Sequence, residues 1–112
     1  MKIEERSAGN VIILDVSGQI KLSQGDIMLK DKIQSVVHQG HKNILLNLAG
    51  VEYVDSAGLG EIVGAHTTVA RAGGKMKLLN LTKKMRDLLS ITKLVTVFDT
   101  FDSEQEAVKS FT

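Results

Sequence analysis

Apolar residues along this chain fall into short continuous runs separated by helical stripes, and that alternation predicts an α/β fold. Val11 to Val16 is a first clear strand. Asn43 to Leu48 is a second, rich in Ile and Leu, as a strand buried on both faces should be. Between them Leu29, Ile33, Val36 and Val37 make one helical stripe ending at Gly40. Leu59, Ile62, Val63, His66, Val69 and Ala70 recur at i, i+3, i+4, i+7 spacing and predict a longer helix, stopped by Gly73-Gly74. Lys75 to Leu79 reads as the next strand. Thr82 caps a short helix carrying Met85, Leu88 and Leu89, and Val95 to Phe98 reads as a last short strand. Ser103 with Glu106 three residues on is a capping box, leading a terminal helix with Ala107, Val108 and Phe111 on one side.

The N-terminus is less marked. Lys2 to Arg6 is a weak strand, folded back on Val11 to Val16 through the turn residues Ser7-Ala8-Gly9-Asn10. Gly18 to Gly25 breaks the pattern before the first helix, on which Asp26 and Lys30 are spaced to pair. The order is β-β-α-β-α-β-α-β-α: a single α/β domain over residues 1–112, with an N-terminal hairpin, a mixed sheet, about four helices and right-handed βαβ units. In such folds sites lie outside the carboxyl ends of parallel strands. The stretch Val54-Asp55-Ser56-Ala57-Gly58-Leu59-Gly60 leaves such an end.

Composition narrows the possibilities. The 112 residues carry 14 basic and 13 acidic side chains, so no basic excess points to nucleic acid. Aromatic residues are 4% with no tryptophan, too few for a base-stacking or sugar-binding surface. The absence of cysteine removes disulfides, thiolate metal sites and cysteine nucleophiles. Met1 to Arg6 has no apolar signal core and no run is long enough to span a bilayer, so the expectation is a cytoplasmic protein without direct membrane insertion.

Ser56 is the candidate functional side chain. It falls at or beside a helix N-cap, where capping alone would account for a serine. Gly58, Gly60 and Gly64 crowd the same helical stretch, each costing about 1 kcal/mol relative to Ala. Either Gly60 and Gly64, four apart, let the helix settle on its own sheet, or they leave a flat exposed patch against which a partner lies.

Serine hydrolysis fits poorly. A nucleophile elbow needs glycine two residues before the serine, where this chain has Val54, and His66 lies about 15 Å along the same helix at ~1.5 Å per residue. A dinucleotide fingerprint fails at Gly64, one residue late, and Asp55 would repel a pyrophosphate. His38 and His41 at a helix end lack the further ligands of a metal site. Lys83, Lys84 and Arg86 form a small basic cluster, either a solvated face or the complement of a partner's acidic patch. Phosphorylation survives: a phosphate adds about −1.5 to −2 charges at a helix start that stabilises it, beside Asp55 and Glu61.

Asp55-Ser56-Ala57-Gly58-Leu59-Gly60, between a buried strand and a helix, resembles the signature of STAS domains, specifically the bacterial anti-sigma factor antagonists. The resemblance extends over nearly the whole chain. It implies no enzyme and no cofactor or metal. It implies that Ser56 accepts phosphate from a serine kinase of the histidine-kinase-like ATPase fold, often itself the anti-sigma factor. The unphosphorylated form would bind that kinase, phosphorylation would release it, and a PP2C-type phosphatase would reset it. Partner contacts are expected at Asp55, Ala57, Gly58, Leu59, Gly60, Gln19 and Lys21. Where antagonists commonly carry an acidic Gly-Glu-Ile/Leu-Asp pattern, this chain has Gly18-Gln19-Ile20-Lys21. The alternative within the family is a constitutive scaffold or lipid-transporter accessory subunit in which Ser56 merely caps its helix.

Overall fold

The computed structural model describes the backbone of residues 1–20 and 26–111, with side chains for all of these except 26 and 27. The elements are β1 (Lys2–Ala8), β2 (Val11–Ile20), α1 (Asp26–His38), β3 (Asn43–Val54), α2 (Ser56–Arg71), β4 (Lys75–Leu79), α3 (Lys83–Ile91), β5 (Thr100–Phe101) and α4 (Glu104–Lys109). They form one sheet in the order β1-β2-β3-β4-β5, with β1 antiparallel to β2 and every other pair parallel. The order read from the sequence is the order observed.

Alternation along the central strands sorts side chains to two faces. Ile12, Leu14 and Val16 of β2, Ile44, Leu46 and Leu48 of β3, and Met76 and Leu78 of β4 meet the buried stripes of α1, α2 and α3. Val11, Ile13, Leu45 and Leu79 face the other way, under Ala107 of α4 and Phe111 just beyond it. Burial on both faces is why these strands read as unbroken apolar runs.

Three expectations need correction. Val95 to Phe98 is not a strand: the Val97 N–H closes a turn on the Leu94 carbonyl at 3.0 Å, and the strand that pairs β4 is Thr100–Phe101. Phe98 is drawn into the core and packs edge-on against His66, leaving Val95 and Val97 exposed. Gly18 does not end β2, which continues to Ile20 through two register shifts against β3. Nor does β3 stop at Leu48; it runs on to Val54, and Gly50 permits this because a Cβ there would meet the Ser17 Cβ at 2.8 Å. Lys21 and the Asp26–Lys30 pairing lie outside the described residues and side chains.

The short α4 is tied down by polar contacts. The buried Lys77 ammonium donates to the Ser110 carbonyl and hydroxyl, each at 3.0 Å, and lies 4.8 Å from the Phe111 ring centroid. Arg6 of β1 donates to both Asp15 oxygens, at 2.6 and 3.1 Å, and to Glu104 of α4 at 2.9 Å. Asn47 donates to the same Asp15 at 2.8 Å. These bonds, first those from Arg6, hold the Asp15 carboxyl below its ordinary 3.8, and Arg6 likewise holds Glu104 below 4.5. Lowered carboxyl values mean that the stabilisation is complete above the ordinary range and fades as pH falls through the depressed values. We expect Arg6→Gln to cost ~0–1 kcal/mol per exposed pair at neutral pH and to flatten the stability loss below about pH 4.5. Urea midpoints across pH 7 to 3 check this; parallel curves for the two proteins would contradict it.

Among the described residues no helix is long and apolar enough to cross a membrane.

Candidate functional site

The Ser56 turn is built by the strands that precede it. Gln19 pairs with Tyr53 and Ile20 with Val54, so β2 and β3 end side by side. The chain then turns into α2 with one residue between. That residue, Asp55, is the N-cap: its Oδ1 accepts the Gly58 N–H at 2.6 Å, and its carbonyl accepts the Leu59 N–H at 2.8 Å. The capping role weighed for Ser56 therefore belongs to its neighbour, because β3 runs one residue short of Asp55 and leaves it the extended backbone a cap requires. Ser56 is the first helical residue. It is exposed, and its hydroxyl has no hydrogen-bond partner among the described residues.

The glycines divide by role. Gly58 is buried against β2, where an added Cβ would stand 2.0 Å from the Ile20 carbonyl oxygen. Gly60 and Gly64 are the reverse, with nothing within 4 Å of where a Cβ would point. Close packing on the sheet, one of the two explanations open for that pair, is thus Gly58's property instead. Gly60, Glu61, Gly64, Ala65 and Thr68 line one side of a shallow groove whose other wall is Lys30 and Ile33 of α1. Leu59 turns inward with Ile62, Ala65 and Val69 and seats the helix.

Of the residues singled out from sequence, Ser56, Ala57 and Gly60 share the exposed surface. Asp55 is half-buried and Gly58 and Leu59 are buried beneath it. Gln19 is exposed at the end of β2 in register with Tyr53; Lys21 is outside the described residues. Histidine chemistry is not assembled here, since His66 is engaged with Phe98 at 5.2 Å between ring centroids. One neighbour was not anticipated. The Lys84 ammonium of α3 lies over the Tyr53 ring, 4.8 Å from its centroid. Only the run of β3 past Leu48 brings Tyr53 into that position. Among the described residues, Ser56 thus presents an exposed hydroxyl without a hydrogen-bond partner, on a turn between two paired strand ends and a capped helix.

The comparisons agree with this geometry. The family model for the STAS domain matches residues 2–107. The chain is similar to an anti-sigma-B factor antagonist of Bacillus subtilis, 30% identical over 99 residues that cover 88% of this chain and 89% of the relative. A Thermotoga maritima crystal structure, described as a candidate anti-sigma factor antagonist, is similar at 25% identity and a TM-score of 0.88, covering 97% of this chain and 93% of that one. The fold is also shared with the Bacillus cell fate determinant SpoIIAA in its phosphorylated form, at 20% identity and a TM-score of 0.75, over 97% and 98% of the two chains.

Proposed function

The chain belongs to the STAS domain family, and on that premise we propose that it is an anti-sigma factor antagonist whose binding is switched by phosphorylation of Ser56. The observation that carries the reading is the exposed Ser56 hydroxyl directly after the Asp55 cap, without a hydrogen-bond partner among the described residues. The Gly58 N–H is already satisfied by Asp55, so the fold does not depend on the serine. Its hydroxyl is available to attack the γ-phosphate of ATP held by a partner kinase, losing its proton as ADP leaves.

Docking in this reading uses Ser56, Ala57, Gly60 and the Lys30-lined groove, together with Gln19, exposed beside Tyr53 at the end of β2. Exposed backbone at Gly60 and Gly64 lets a partner surface approach closely. A phosphate brings about −1.5 to −2 charges onto a stretch that already carries Glu52, Asp55 and Glu61. Repulsion and the cost of burying that charge both act against the complex. The partner is a serine kinase of the histidine-kinase-like ATPase fold that also serves as anti-sigma factor; a PP2C-type phosphatase restores the binding form.

The test uses native cell extract passed over immobilised protein. Wild type should retain an ATPase-fold protein and release it when ATP and magnesium are added, while Ser56→Ala retains it throughout. Equal retention of that protein by both after ATP would contradict the switch.

A further inference from the structure

Lys83 and Lys84 open α3 with no acidic residue in its first turn, an arrangement that the helix dipole disfavours. Arg86 is neutralised by Asp102 at 2.6 Å. Lys84 makes no ion pair with a described residue; its ammonium rests on the Tyr53 ring. Such a contact is weak where water reaches it, so the ammonium is easily drawn to a stronger anion. Tyr53 precedes Ser56 by three residues, which limits their Cα separation to about 10 Å at the extended-chain rise. The Lys84 ammonium, held on the Tyr53 ring, therefore lies at the same end of the sheet as Ser56, where β3 passes into α2.

We propose that Lys84 is the counter-ion of a phosphate monoester on Ser56, leaving the Tyr53 ring to hold it. The inference rests on the phosphoswitch reading and adds to it a residue on a different helix. The charged side chains nearest Ser56 along the chain are Glu52 on β3, the N-cap Asp55 and Glu61 on α2; α3 contributes Lys83, Lys84, Asp87 and the paired Arg86, and α1 contributes Lys30 across the groove. The carboxylates oppose a second negative charge on the phosphate. Lys84 offsets them and keeps the phosphate doubly charged at neutral pH, the state that repels a partner most strongly. Lys84 is thus a positioning residue for the modified state, with no part in phosphate transfer.

Phosphoserine placed at position 56 by genetic-code expansion makes the test independent of any kinase. Phosphorus NMR titration of that protein should show the second phosphate pKa about 0.5 unit higher in Lys84→Gln, a shift expected of one nearby cation under partial screening. Lys75→Gln, at the opposite end of the sheet, should leave it unchanged. Tyr53 is the only tyrosine and there is no tryptophan, so the emission is that of Tyr53 alone and responds to changes around its ring, the Lys84 contact among them. Phosphorylation should change that emission in the wild type and leave it unchanged in Lys84→Gln. An identical phosphate pKa in wild type and Lys84→Gln, or an equal shift in Lys75→Gln, would overturn the proposal. Absence of phosphate on Ser56 in native cells would instead overturn the switch and leave this electrostatic result intact.

Discussion

Gly58→Ala should lower the melting temperature by about 10 °C, although it adds one methyl group and improves intrinsic helix propensity. The methyl carbon would stand 2.0 Å from the Ile20 carbonyl oxygen, 2.8 Å from its carbon and 3.1 Å from Ile20 Cγ2. Two of these three atoms are backbone, held in the β2–β3 ladder by the Ile20–Val54 pairing, so no rotamer change relieves the contact. Relief requires α2 to lift from the sheet, which also withdraws the buried Leu59 and Ile62. Overpacking of this kind costs about 3 kcal/mol. Gly60→Ala, two residues away, is the internal control. Its methyl enters open space, so it should stabilise the helix by about 1 kcal/mol and raise the melting temperature by a few degrees. Circular dichroism melts of both variants decide the matter; equal melting temperatures would contradict the seating of α2 on Ile20.

Ser56→Asp should weaken binding to the ATPase-fold partner by about 100-fold, equivalent to about 3 kcal/mol at the interface, while leaving the fold intact. The two effects separate because position 56 is exposed and lies in the first turn of α2, where a negative side chain interacts favourably with the helix dipole by ~0.3–1 kcal/mol. The variant should therefore melt at or slightly above the wild-type temperature with an unchanged far-UV spectrum. Binding measured by titration calorimetry should nevertheless be weaker by that factor. Tight binding by Ser56→Asp would show that negative charge at this position is not what dissociates the complex.

The strand-and-helix order, the core stripes and the position of Ser56 were legible because central strands buried on both faces and amphipathic helices leave strong periodic signals. Other features depended on pairing that periodicity does not carry. Ala49 and Gly50 interrupt the apolar run of β3, yet the strand continues because β2 supplies a ladder partner as far as Val54. That continuation moved the cap from Ser56 to Asp55, two residue types that cap about equally well. It also decided which glycine packs closely: with α2 starting at Ser56, Gly58 faces Ile20 while Gly60 and Gly64 face outward. Val95 to Phe98 has the β-branched and aromatic character of a strand, but Phe98 fills the space beside His66 and β4 takes its pairing from Thr100–Phe101. Local propensity lost there to burial of one aromatic side chain.

The most direct test of the phosphoswitch is the phosphate occupancy of Ser56 in native cells. Trypsin releases Asn43–Arg71, a peptide in which Ser56 is the only serine, so fragment ions distinguish its phosphate from one on Tyr53, Thr67 or Thr68. Mass spectrometry of that peptide from growing and from stressed cells should show occupancy on Ser56 that differs between the two conditions. Phosphate absent from Ser56 in both would contradict the account.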